Sequence, residues 1–192
     1  MNAKADTKRQ ILEIAENLLL DLGYNGFSYK DISSALGIRN ASIHYHFPQK
    51  SDLGVAIIQR TRRRFERWTL SEEMQERNPP EKLDAFFILY KKFLYADCQC
   101  CLGGVLETCF KTLPRDMQME TQAFIADMLG WLTELLRDGR NRSAFDFPGE
   151  PQDQAIVIMS SLQGALQMVR ATDVSFFDAA TGQIRKTVKS KM

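Results

Sequence analysis

Residues 36–53, LGIRNASIHYHFPQKSDL, decide how the rest of the chain is read. Gly37 stands where a helix ends in a left-handed turn, and Asn40 is a good cap for the helix that follows. Pro48 forbids that helix from continuing beyond Phe47. Upstream, Ser28 can cap a preceding helix, Asp31 complements its N-terminus, and Ile32, Ala35 and Leu36 give it a buried side. Two short helices joined by a tight glycine turn make a helix-turn-helix.

The two histidines inside the stretch do not read as a metal or catalytic pair. His44 and His46 are two residues apart, so on a helix they point roughly 200° away from each other and cannot share a metal as an i, i+4 pair can. No Ser/His/Asp or Cys/His arrangement and no phosphate-binding glycine loop accompanies them. No enzymatic activity, metal or cofactor is expected. A helix-turn-helix uses the residues better. Ile38, Ile43 and Phe47 fall inward, which leaves Arg39, Asn40, Ala41, Ser42, His44 and Tyr45 for the outer side, a set suited to base edges and phosphates in a major groove. Lys50, with the amides of the next helix, is expected to hold a phosphate, and Ser28 and Tyr29 to join the DNA-binding set. His46 is expected to be a packed histidine.

Charge supports that assignment. The formal net charge is only +1, yet residues 1–67 carry 11 Lys/Arg against 7 Asp/Glu, while residues 68–184 carry 10 against 17. A basic first third on an acidic body suits a partner that is a polyanion. With 44% apolar and 26% charged residues the chain has an ordinary globular composition. It shows no leader peptide and no apolar run long enough to span a bilayer, which predicts a cytoplasmic protein with reduced thiols and no membrane partner.

Outside the stretch the periodicity is helical throughout, so the fold class is all-α. A first helix, capped by Asp6 or Thr7, carries Ile11, Ile14, Ala15, Leu18, Leu19 and Leu22 on one stripe and ends at Gly23. Ser51 is expected to cap a long fourth helix that stops before Asn78-Pro79-Pro80, and this proline pair is taken as the boundary. Further helices are predicted over residues 82–97, 102–112, 117–140 and 152–170, with a short one from Phe176. The division that follows is a DNA-binding domain at 1–50, a connecting helix at 51–78 and a helical effector-binding and dimerisation domain at 79–192.

The region GYNGFSYKDISSALGIRNASIHYHFPQKSDL resembles the DNA-binding region of the TetR family of bacterial transcriptional regulators. The matches are Gly37, Ile38, Ser42, Ile43, His46, Phe47, Lys50 and Leu53, at the family's spacing. His44 departs from it, standing where the family usually has a tyrosine that touches the DNA backbone. An imidazole there can still donate to phosphate and brings a pH dependence. The resemblance implies a homodimer on a near-palindromic operator in double-stranded DNA, and a small-molecule effector that releases it. A helical protein-interaction or RNA-binding module that keeps the helix-turn-helix is the alternative.

Phe86, Tyr90, Phe93, Cys101, Leu106, Phe110 and Met128 are candidates to line an effector pocket, for an apolar or electrophilic ligand, although the same spacing suits a plain core. The helix over 152–170 is apolar nearly all round and must bury two faces. One is assigned to a partner subunit, with Ile158, Ser161, Leu162, Ala165 and Met168 from this helix and Phe124, Met128, Trp131 and Leu135 from the one before it. Cys98, Cys100 and Cys101 are too crowded for a zinc site; Cys101, beside a helix start, is a candidate thiol sensor with Cys100 as neighbour, and Cys109 reads as filler.

Overall fold

The structure, a computed structural model, describes residues 3–95 and 101–188. Among the described residues every regular element is helical: α1 (Ala3–Leu22), α2 (Tyr29–Leu36), α3 (Asn40–His46), α4 (Lys50–Thr69), α5 (Glu72–Glu76), α6 (Pro79–Tyr95), α7 (Leu102–Thr108), α8 (Arg115–Asn141), α9 (Pro151–Val169) and α10 (Ser175–Val188), with 3₁₀ turns at Tyr24–Gly26 and Phe110–Thr112. Contacts divide the chain into two compact units, Met1–Arg64 with Leu102–Phe124, and Phe65–Cys101 with Ile125–Met192.

In the first unit Ile11, Ala15 and Leu19 of α1 are fully buried with Ile32, Ile43, Leu53 and Ile57. The stripe fades toward its end, where Leu22 is 56% exposed. Helix α1 starts earlier than Asp6 or Thr7, and Asp6 instead accepts a hydrogen bond from Arg9 at 2.8 Å. Gly23 (φ 74°) and Gly37 (φ 64°) take the left-handed backbone that ends α1 and α2. An ionic network fastens α4 on two sides. Arg60 and Arg64 both meet Glu16 of α1, the second at 2.9 Å, while Arg62 at 2.8 Å and Gln59 at 2.9 Å meet Glu120 of α8.

In the second unit Trp131 packs against Phe65, Trp68 and Phe86, with ring centroids 5.3–5.9 Å apart, and Tyr90 lies 5.1 Å from Phe86. Helix α9 packs on α6 and α10.

Several helix boundaries differ from expectation for local reasons. Helix α4 stops at Thr69 because Ser71 caps a new helix, its Oγ accepting from the Met74 N–H at 3.3 Å. Pro79 and Pro80 occupy the first turn of α6, where the missing N–H costs nothing. Asn78 caps that turn reciprocally with Glu81, at 3.0 and 2.9 Å. The contact division falls after Arg64, not at these prolines. Ser51 does not cap α4, which begins at Lys50 with the Gln49 N–H donating to Asp52 at 2.8 Å.

Gly54 of α4 is buried, and a Cβ there would lie 2.4 Å from Sδ of Met117, itself fully buried. Replacing Gly54 with Val should therefore destabilise the protein by about 1–3 kcal/mol through overpacking, read as a lower urea midpoint at unchanged slope. An unchanged midpoint would show that Met117 can move aside.

Candidate nucleic-acid interface

The head of the first unit is built on very short helices. Seven residues are too few for α3 to be stable alone. Ile43 and Phe47 anchor it inward, 0% and 3% exposed. Its backbone N-cap is Arg39, and Asn40 is the first helical residue, so the Asn40 side chain is left unspent on capping. Arg39, Asn40, Ala41, His44 and Tyr45 are exposed and Ser42 is half-buried. His44 Nδ1–H donates to the Pro48 carbonyl at 3.3 Å, and the ring stands edge-on to Tyr29 at 4.8 Å. This leaves Nε2 as the nitrogen available to a ligand. His46 is half-buried against Tyr45, their rings 5.1 Å apart.

Helix α2 begins with Ser28 and Asp31 in a capping box. The Asp31 carboxylate accepts from the Ser28 N–H at 2.7 Å and the Ser28 hydroxyl at 2.8 Å. These bonds hold the Asp31 carboxyl below its ordinary range.

Two members of the expected DNA-binding set face inward. Tyr29 is buried, and its hydroxyl donates to the Phe47 carbonyl at 2.8 Å, which clamps the start of α2 onto the end of α3. Burial first, and the Asp52 charge second, push its phenol up to about 12. Lys50 does not reach out to a phosphate. Its Nζ donates to the carbonyls of Tyr24 and Phe27 and lies 4.6 and 4.1 Å from the centroids of their rings. Burial lowers its pKa, against the pull of Asp31. The spacing of Lys50 is equally that of a lysine capping the carbonyls that precede α2, and only tertiary contacts distinguish the two. Two exposed cations escaped the sequence reading. Lys8 of α1 stands 5.4 Å over the Phe47 ring and Lys30 follows Tyr29. The basic count of the first third was the signal.

The family model for bacterial regulatory proteins of the tetR family matches residues 11–57, from α1 into α4. A TetR-family transcriptional regulator from Agrobacterium tumefaciens is 30% identical, over 97% of this chain and 99% of that one, with a TM-score of 0.91. A TetR regulator from Legionella pneumophila is 32% identical, over 95% and 97%, with a TM-score of 0.83. The chain belongs to the TetR family. The repressor NemR of Escherichia coli K12 is 26% identical over 167 residues, 83% of this chain and 82% of that protein. TetR-family members are transcriptional regulators and not enzymes.

The other expected sites of this TetR-family chain are scattered. Phe86, Tyr90 and Met128 are buried in the second unit and Phe93 is half-buried there, while Leu106 (buried) and Phe110 (half-buried) belong to the first. Of the expected partner surface, Phe124, Met128, Leu135, Ile158, Leu162 and Ala165 are buried within the chain, and Trp131 is taken up by the aromatic cluster. Ser161 is half-buried and Met168 is 51% exposed. Cys101 is buried immediately before α7. Cys109 is half-buried, its thiol donating to the Val105 carbonyl at 3.4 Å. Cys98 and Cys100 lie outside the described residues. No group of three or more His, Cys, Asp or Glu suited to a metal occurs among the described residues, nor any helix long and apolar enough to cross a membrane.

Two measurements test this arrangement. Lys50→Ala removes the donor to two carbonyls, so it should cost about 1–2 kcal/mol of stability and leave the salt slope of DNA binding unchanged. Lys30→Ala should lower that slope by about 1 with little loss of stability. The reverse pattern would return Lys50 to the phosphate backbone. The raised Tyr29 pKa means the folded state holds its phenolic proton more tightly than the unfolded chain does. That contribution is complete below pH 10 and is lost as pH rises toward about 12. Tyr29→Phe should therefore show a shallower fall in urea stability between pH 9 and 11 than the wild type.

Proposed function

We propose that this chain is a cytoplasmic repressor that binds double-stranded DNA as a homodimer on a near-palindromic operator and is released by a small-molecule effector. The observation that carries the reading is the exposed set Arg39, Asn40, Ala41, His44 and Tyr45 on a helix whose inward side chains are fully engaged. Such a head meets base edges with Asn40 and Arg39 and phosphates with the cations Lys8 and Lys30, joined by Nε2 of His44 when the ring is protonated. Ser28 and Ser42 are short donors beside them. Residues 1–50 read DNA, and the helices beyond Arg64 supply the effector and partner surfaces. NemR, a relative, is named a repressor.

One short helix reads too few base pairs for useful specificity, so two heads are needed, about one helical turn of DNA apart or a small multiple of it. The surface for the second copy is the outer face of α9. Ile156, Val157, Ser160, Gly164 and Met168 recur at helical spacing and are all exposed, the three apolar ones by 45%, 55% and 51%. Small residues between apolar ones let a second helix approach closely. Cys101 is only 7% exposed, which argues against it as the thiol that meets an electrophile.

Footprinting on the chain's own upstream DNA should give a protected near-palindrome, competed poorly by RNA; equal competition by RNA would favour the RNA-binding alternative. Val157→Asp places a charge in the centre of the outer face of α9. It should convert a dimer at micromolar concentration into a helical monomer and weaken operator binding by more than 100-fold. A wild-type chain that sediments as a monomer would overturn the dimer.

A further inference from the structure

The second unit contains a cavity of about 230 Å³ that uses none of the effector candidates chosen from the sequence. Trp68 in the last turn of α4 and Met74 of α5 form one side. Ala85, Ile88, Leu89 and Lys92 form the other, recurring at i, i+3, i+4 and i+7 along one face of α6. Met74 and Ala85 are buried and Trp68 is half-buried, so the floor has an apolar, partly aromatic portion within a lining that is polar on balance.

The mouth is different. Arg77 and Lys92 bring two positive charges and Glu73 one negative. Glu73 accepts from Arg77 at 2.5 Å but is itself 78% exposed, where water screens it. Lys92 is exposed and has no carboxylate partner among the described residues. Beside it Ile88 is 56% exposed, an apolar side chain left in water at the lip of an apolar floor. A neutral apolar occupant would leave the excess positive charge unmatched. A cation would be repelled by it, and an inorganic anion would leave the floor empty. The geometry points to a binding site for a small amphipathic carboxylate, its carboxylate at Lys92 and Arg77 and its hydrocarbon body against Trp68 and Met74. The volume is below the roughly 300–1,000 Å³ of drug-sized pockets, so the ligand is of fragment size.

This deepens the effector reading and rests on it for its role. Trp68 stands on the same continuous helix, α4, whose first residue is the half-buried Lys50 of the DNA-binding head. An occupant that packs on Trp68 therefore touches an element that the head is built on.

Trp68 also supplies the test. The chain has two tryptophans, and Trp68 and Trp131 lie 5.3 Å apart. Titrating the full chain with 4-tert-butylbenzoate should change tryptophan emission saturably in the range of tens to hundreds of micromolar. The isosteric neutral 4-tert-butylbenzamide should bind at least 10-fold more weakly. Lys92→Gln should weaken the benzoate by 5-fold or more and leave the benzamide unaffected, and because Lys92 is exposed the variant should fold normally. Equal affinity for acid and amide, an unchanged affinity in Lys92→Gln, or no saturable response up to 10 mM would overturn the site. Benzoate binding that leaves operator affinity unchanged would overturn its role as the effector site. The titration needs no DNA, so a chain that binds benzoate but no operator would sink the regulator reading alone.

Discussion

The DNA-binding head depends on where the ammonium of Lys50 is spent. It is drawn between the rings of Tyr24 and Phe27 and donates to both of their carbonyls. This pins the first residue of α4 to the segment between α1 and α2. Desolvation opposes the charge, as the lowered pKa records, and the two carbonyls with the ring faces offset it. The Tyr29 hydroxyl closes the other side onto Phe47. Between these two clamps α3, too short to hold itself, is given an orientation, and its exposed residues gain a fixed direction.

Further along α4 the same economy of charge recurs. Arg60 and Arg64 share Glu16, whose side chain is only 16% exposed, and Arg62 shares Glu120 with Gln59. Lone surface ion pairs contribute little to stability, but a half-buried carboxylate shared by two guanidinium groups is held in place and in turn sets the roll of the helix. The basic run of α4 therefore serves packing within the first unit more than it serves a polyanion. The charge asymmetry of the sequence overstates how many cations remain for DNA: among the described residues of α1–α3 the exposed ones are Lys8, Arg9, Lys30 and Arg39, and Arg9 is already paired with Asp6 and Glu13.

Helix α9 shows how far an apolar pattern can be read. Its near-continuous apolar sequence requires two buried faces, and the structure provides both a packed and an unpacked one. Ile158, Leu162 and Ala165 are buried within the chain, where α9 packs on α6 and α10, whereas Ile156, Val157 and Met168 are exposed. Periodicity fixes which residues share a face, but not which face meets the chain's own core.

By itself the sequence determined the all-α class, the helix-turn-helix between Ser28 and Phe47, the glycine turns and the family, because these rest on short-range chemistry: caps, proline stops, left-handed glycines and 3.6-residue periodicity. It also identified the outward residues of α3, since the inward set Ile43 and Phe47 leaves the remainder no other side. Only the tertiary structure decided that Lys50 and Tyr29 turn inward, that Pro79 and Pro80 start a helix, that Trp131 joins an aromatic cluster, and that a cavity forms beside Trp68. Each of these depends on what a second, distant segment brings within a few ångströms: a carbonyl for a lysine, a ring for an indole, a wall for a cavity. A pattern along the chain carries the local preferences of each residue, and the identity of its spatial neighbours is set by packing.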